Sequence, residues 1–157
     1  MSQFLVAFST LLHNLATAIF IGYYVVLALI CMPALGDGPE AARGPIITAI
    51  SKRSQTWLYV ALVIFALSGA YLTLVDPNYL GLANFGNVWG ILMLLKHTVV
   101  FAMVVAGFWF NAVLRVGPLA SSNTGAGQAA ARFRTYINSM AICGGVVLLL
   151  TAIAQTQ

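Results

Sequence analysis

Charged residues are scarce in this chain of 157 residues: they make up 6 % of the sequence, and only three of them are acidic. An average soluble domain carries about 25 % charged residues. A soluble fold of this size could not cover its surface with so few charges, which excludes a cytosolic enzyme and a disordered chain. The seven basic residues form no continuous stripe of the kind that follows phosphates, so nucleic acid is not an expected partner.

Motifs for common catalytic chemistry are also missing. The sequence has no glycine-rich nucleotide loop, no catalytic triad and no cysteine cluster, and no carboxylate lies inside a long apolar run. Cys31 and Cys143 lie in apolar surroundings, which favours buried free thiols over a disulfide. We therefore expect no catalytic residues, and an electron-transfer or accessory subunit fits the sequence better than a stand-alone enzyme.

Hydrophobic residues, at 61 % of the chain, are concentrated in four long runs. A membrane-spanning helix needs roughly 20 consecutive apolar residues. The predicted spans cover about residues 4–32, 56–75, 88–114 and 133–154. Pro33 is predicted to end the first span, and Pro39–Glu40 is suited to begin a helix on the membrane surface ahead of the second. No run alternates like a barrel strand, so the sequence predicts a single all-α integral membrane domain, a bundle of four transmembrane helices.

Basic residues are distributed unevenly between the loops. Six of the seven lie between spans one and two or between spans three and four: Arg43, Lys52, Arg53, Arg115, Arg132 and Arg134. Lys and Arg stay preferentially on the cytoplasmic side of a membrane. We therefore expect both termini and the loop 76–87 on the non-cytoplasmic side of a cell inner (plasma) membrane. The Gly-, Ala- and Ser-rich connector 117–131 is predicted to be a mobile cytoplasmic loop.

Two histidines lie inside predicted spans. His13 and His97 follow the starts of spans one and three at equal distances, which at 1.5 Å per residue places both imidazoles roughly 13 Å below the outer end of parallel helices. Ionisable groups are costly in a bilayer and are functional candidates by default. Two imidazoles at one depth can ligate a haem iron from opposite faces, so both are predicted as metal ligands of a haem b.

Other roles for His13 and His97 stay open. They can form a hydrogen-bonded link between helices, or they can bind another metal. Two imidazoles alone make a poor zinc site, because zinc prefers four ligands, and Cu(I) prefers softer donors than imidazole. A neutral imidazole is nevertheless a good copper ligand, so copper is kept as the alternative cofactor to haem.

The residues around the two histidines suit a flat, bulky ligand. Tyr24 shares the helix face of His13 and Phe101 that of His97, so both are predicted to contact the cofactor. Lys96 is a cation within span three, with no carboxylate at its depth. It either snorkels toward the interface or pairs with a haem propionate, and it is included among the predicted cofactor-binding residues.

Small and polar residues nearby have candidate supporting roles. Three of them are positioned to hydrogen-bond the free imidazole nitrogen of His13: Ser9, Asn14 and Thr17. Gly69 in span two and Gly144-Gly145 in span four can leave room for a ring edge, but close packing of helix pairs is the favoured role for these glycines.

Several short motifs are spread over the first three spans. In span one His13 precedes Gly22, span two follows Lys52-Arg53-Ser54 and passes through Ser68-Gly69, and span three contains Trp89-Gly90-Ile91-Leu92-Met93-Leu94-Leu95-Lys96. Together they resemble the copper-resistance D family of membrane proteins. A span-one His and a span-three Lys are also similar to the four-helix type of protoporphyrinogen oxidase. What the resemblance implies is a four-helix membrane module linked to haem or copper.

The sequence thus predicts a membrane b-type cytochrome-like subunit. One haem b between His13 and His97 would relay electrons within or to a larger membrane redox or photosynthetic complex, with the lipid bilayer as the other partner. Iron with two axial histidines has no open position for a substrate, so electron relay is its natural use. The alternatives are a copper transport or tolerance protein, a haem-linked protoporphyrinogen oxidase, and a cofactor-free structural subunit of a membrane complex.

Overall fold

The computed structural model describes residues 3–81, 86–116 and 123–156, which are helical over most of their length and contain no strand. The helices are α1 (Gln3–Val26), a π-helical turn (Leu27–Cys31), α2 (Met32–Asp37), α3 (Glu40–Val75), α4 (Val88–Val116) and α5 (Asn123–Ala154). Four stretches are long and apolar enough to cross a membrane: Gln3–Asp37, Ala42–Val75, Val88–Phe110 and Ala131–Ala154. For the described residues, the prediction of an all-α fold with four helices long and apolar enough to span a membrane is confirmed.

The first span does not end at Pro33, as the sequence predicted, but continues to Asp37. A proline has no N–H to donate, and its ring collides with the carbonyl four residues earlier in a regular α-helix. Here a π-helical turn precedes the proline, and the Met32 N–H donates to the carbonyl of Leu27, five residues back. The wider turn lets the helix pass the proline, and the chain leaves helical geometry only at Gly38, which is extended.

Helices α3 and α5 extend well beyond their apolar segments. Helix α3 begins at Glu40 after Pro39, as predicted, and it is one helix of 36 residues that continues into the second span. Its length of about 54 Å exceeds a hydrocarbon core of about 30 Å. Helix α5 begins at Asn123, so the second half of the predicted mobile connector is helical. Residues 117–122 of that connector lie outside the described residues.

Helix α1 is the centre of the packing. It lies against α3 on one side and α5 on the other, and α5 also packs against α4. The buried core is supplied mainly by α1, α4 and α5: Phe20, Ile21, Tyr24, Leu27, Met103, Phe133, Ile137, Met140 and Val147. At Gly144 a Cβ atom would lie 2.7 Å from Cγ2 of Ile21, whereas at Gly145 it would meet nothing within 4 Å. Gly144 therefore has the close-packing role that was favoured for it.

The two ends of the bundle differ in chemistry. Residues near both termini, together with Asp76 and Trp89, surround one cavity at the end here called the terminal end. The opposite, basic end carries five of the cations: Arg43, Lys52, Arg53, Arg132 and Arg134. Between the ends, large apolar side chains such as Leu67 and Trp109 are about as exposed as on a free helix, at 70 % and 72 %. Such an outer surface suits lipid, as expected of a multi-pass membrane protein.

Candidate functional site

A cavity of about 860 Å³ occupies the terminal half of the bundle and receives residues from all four long helices. This volume lies within the range of roughly 300–1,000 Å³ that is typical of ligand pockets. Four of the five predicted site residues line it: His13, Lys96, His97 and Phe101. The fold thus brings two histidines that are far apart in the sequence to one shared space.

The imidazole of His13 is anchored by a serine of the neighbouring helix. Its Nδ1 lies 3.1 Å from Oγ of Ser68, and that hydroxyl donates to the carbonyl of Ile64 at 2.5 Å. A serine hydroxyl has one proton. Because Ser68 uses that proton in its hydrogen bond to the Ile64 carbonyl, its oxygen accepts from His13. This hydrogen-bond pattern assigns the proton of His13 to Nδ1 and leaves the lone pair on Nε2.

Two further contacts from α3 fix the plane of the same ring. The ring of Phe65 stacks on His13 with centroids 4.5 Å apart and an interplanar angle of 23°. A Cβ atom at Gly69 would lie 3.0 Å from Cε1 of His13, which is tighter than an ordinary contact. Gly69 therefore makes room for the imidazole, and it also lines the cavity.

The ring partner of His13 is not among the three residues named from the sequence. Thr17 donates to the backbone carbonyl of His13 at 2.7 Å and not to the ring, and Asn14 lines the cavity. Ser68 takes that position instead, from another helix. The sequence feature that points to Ser68 is the pair of small residues Ser68-Gly69 inside an apolar span. In the sequence analysis this pair supports only the family resemblance.

His97 presents the same tautomer by a different route. Its Nδ1 lies 2.6 Å from the backbone carbonyl of Met93, one turn earlier on α4. A carbonyl oxygen only accepts, so Nδ1 is the donor and Nε2 again carries the lone pair. The side chain is exposed, which places His97 at the open edge of the cavity.

Lys96 adds a positive charge to the cavity wall. It is half-buried and interacts electrostatically with His13, and it makes no ion pair or hydrogen bond within the part of the chain that the structure describes. Asp76 lines the same cavity at its terminal end without pairing with Lys96. A partly desolvated ammonium is stabilised by an anion, so the cavity is electrostatically suited to a ligand with a carboxylate.

The donor set limits which metal could be held. Among the described residues, no group of three or more His, Cys, Asp or Glu side chains comes together. Two imidazoles do not complete a four-coordinate zinc site, but they suffice for a haem iron, whose other four ligands belong to the porphyrin. Met93 also lines the cavity and supplies the one thioether among the described lining residues, whereas Cys31 and Cys143 do not line it.

Tyr24, the fifth predicted site residue, lies elsewhere. It lines a smaller cavity of about 70 Å³ nearer to the basic end, and its hydroxyl lies 3.2 Å from that of Tyr136. The ring of Phe110 stacks on Tyr136 with centroids 4.1 Å apart. Leu62 and Val104 line both cavities and stand between Tyr24 and the histidines. The structure therefore does not bring Tyr24 into the histidine cavity.

Comparison with protein-family models, with curated proteins and with solved structures gives no match for this chain. The resemblance to the copper-resistance D family and to the four-helix protoporphyrinogen oxidase stays a prediction. The histidine cavity is therefore the basis of the proposed function.

Proposed function

We propose that the chain is a membrane subunit that binds one haem b between His13 and His97 and relays electrons for a larger membrane redox or photosynthetic complex. One observation carries the proposal: both imidazoles line the same cavity, and each uses Nδ1 in a hydrogen bond, so each retains Nε2 for a metal. Metal-bound histidines typically donate their second N–H to an oxygen, which fixes the ring and raises its basicity.

The remaining wall residues fit the parts of a haem. When bound, haem supplies a one-electron iron couple whose potential depends on the axial ligands and on burial. Lys96 is placed to pair with a propionate, and Phe65 and Phe101 supply apolar, flat surfaces beside the histidines. Two histidine ligands leave no site for a substrate at the metal, which favours relay over catalysis.

We also infer how the subunit lies in the membrane. Because Lys and Arg stay preferentially on the cytoplasmic side, the cations favour a cytoplasmic position for the basic end. Both termini and the histidine cavity would then lie toward the non-cytoplasmic side. This orientation fits a cell inner (plasma) membrane. The propionates would then point outward, toward the terminal end.

The test is an optical spectrum of the detergent-purified protein, oxidised and dithionite-reduced, with a pyridine haemochrome assay. We expect a sharp reduced α-band of b type and about one haem per chain, as for low-spin iron with two histidines. His13→Ala and His97→Ala should each abolish haem retention or leave five-coordinate haem. Asn14→Ala is the matched control, because Asn14 lines the cavity beside His13 without ligating, and it should keep the band. Unchanged spectra in both histidine variants would contradict the proposal.

Copper is the second candidate, and the thioether of Met93 in the same wall favours it. Stoichiometric copper without haem in the purified protein would support a copper transport or tolerance role. Turnover of a porphyrinogen by the haem-loaded protein would instead support the oxidase alternative. A colourless, metal-free protein whose loss destabilises a membrane complex would indicate a structural subunit.

A further inference from the structure

The ring of helices around the histidine cavity is open on one side. Helix α1 packs against α3 and α5, and α5 packs against α4, but α3 and α4 do not approach each other as a packed pair within the described residues. Their side chains meet in the basic half, where the rings of Tyr59 and Phe108 stack with centroids 5.8 Å apart. In the terminal half both helices line the histidine cavity, and this stretch between them is here called the gap.

The residues along this gap belong to the cavity wall and are also exposed. Ala66 on α3 and His97 and Phe101 on α4 all line the cavity, and all three are exposed, so the cavity wall is not closed at these positions. Phe101 is 70 % exposed. In a membrane these positions face acyl chains, so the mouth of the cavity opens sideways into lipid.

A hydrogen-bonded turn lines the terminal end of the cavity. Asp76, Pro77 and Asn78 line the cavity there. The Asn78 N–H donates to the Asp76 carboxylate at 2.9 Å, and the Asn87 side chain donates to the Asn78 carbonyl at 2.8 Å. Asn87 also accepts from the N–H of Gly90 at 2.8 Å, which ties the turn to the first turn of α4. These hydrogen bonds hold the turn in place at this end of the cavity.

We propose that the histidine cavity is loaded from within the bilayer, through the gap between α3 and α4, by a planar amphiphile whose carboxylate is held by Lys96. The identity of that ligand as haem rests on the proposed function. The route rests on the gap between α3 and α4. The role of Lys96 rests on its ammonium group, which has no acidic partner among the described residues. A membrane-soluble carboxylate reaches this site without leaving the bilayer. Lys96 then holds the polar edge of the ligand while its apolar body lies against Phe65 and Phe101.

The route is tested by tethering the two helices in a protein in which Cys31 and Cys143 are replaced by Ala. Ala66→Cys with Phe101→Cys is joined across the gap by a short reversible bis-thiosulfonate cross-linker. Tyr59→Cys with Phe108→Cys is the matched control, because those positions lie on the same helices, about two turns nearer to the basic end, where the helices already touch.

The readout is the initial rate of haem uptake from haem-loaded vesicles. We expect the 66–101 tether to slow uptake by about tenfold or more, because association falls when the binding-competent opening is blocked, and a thiol reductant to restore it. The 59–108 tether should leave the rate unchanged. Equal rates for the free and the 66–101 tethered protein would overturn the lateral route.

A second probe separates failure of the route from failure of the haem proposal. A photoreactive fatty acid with a diazirine in its chain is placed in the bilayer, and the labelled peptides are identified. Labelling of the cavity walls should fall with the 66–101 tether and in Lys96→Met, but not in Lys52→Met, a lysine at the basic end. If the protein takes up no haem but shows this pattern, the haem function fails and the route stands. Absence of cavity labelling, or labelling indifferent to the tether, would overturn the route itself.

Discussion

One hydroxyl group determines which nitrogen of His13 is available to a ligand. Ser68, on the neighbouring helix α3, accepts from Nδ1 and donates its own hydrogen bond to the Ile64 carbonyl. In the opposite tautomer the Nδ1 lone pair would face a lone pair of the Ser68 oxygen for as long as Ser68 donates to Ile64. The nitrogen that His13 offers to a ligand therefore depends on Ser68, which contacts the imidazole but does not line the cavity.

Replacement of Ser68 by Ala tests this positioning role. The His13 N–H would lose its partner, and we expect haem or metal affinity to fall by about 10- to 100-fold, as for other losses of a histidine's hydrogen-bond partner. The measurement is a titration of the purified protein, with nitrogen NMR of His13 to report its tautomer in the ligand-free state. Thr17→Ala is the control, because Thr17 bonds only the backbone carbonyl of His13. If affinity and tautomer are the same in Ser68→Ala as in the unaltered protein, Ser68 has no such role.

For single residues, the sequence indicated ionisable residues that line the cavity but not the residues that contact them. His13, Lys96 and His97 stand out because ionisable groups are rare in apolar helices, and all three line the cavity. Ser68 could not be assigned to His13, because the contact depends on how α3 is rotated against α1. Tyr24 was grouped with His13 by helix face alone, but it lies about 16 Å farther along the axis, which puts it at another depth.

At the scale of the helix, hydropathy located the spans but not the helix ends. Apolar runs mark where the chain meets lipid, whereas a helix continues wherever its backbone hydrogen bonds can. Helix α3 therefore begins at Glu40, and α5 at Asn123, far outside the apolar segments. Because a proline breaks a regular helix, the sequence predicts that the first span ends at Pro33. The π-helical turn that precedes this proline is not encoded in any short sequence pattern.

The contact between α1 and α5 gives a matched pair of tests. In Gly144→Ala the new Cβ would collide with the stiff, branched side chain of Ile21, and we expect destabilisation of about 1–3 kcal/mol. Gly145→Ala adds the same atom to the next residue, where it meets nothing within 4 Å, and should be neutral or slightly stabilising. Thermal unfolding in detergent measures both variants. Equal melting temperatures for the two would show that α1 and α5 are not packed this closely.

At the scale of the whole molecule, the distribution of cations predicts the orientation in the membrane. In a protein without Cys31 and Cys143, Asn78→Cys should react with a membrane-impermeant maleimide on intact cells, because its loop is placed outside. Asp37→Cys, exposed near the basic end, should react only after permeabilisation. The reverse pattern would invert the orientation and direct the histidine cavity toward the cytoplasm.

The length of α3 makes the two halves of the molecule mechanically dependent on each other. Lys52 and Arg53 at the basic end and Ser68 beside His13 belong to the same helix, about 22 Å apart along its axis, with no proline between them. A helix of this kind behaves as a stiff rod. A tilt of the basic segment would therefore be carried along α3 to Ser68 and to its contact with His13.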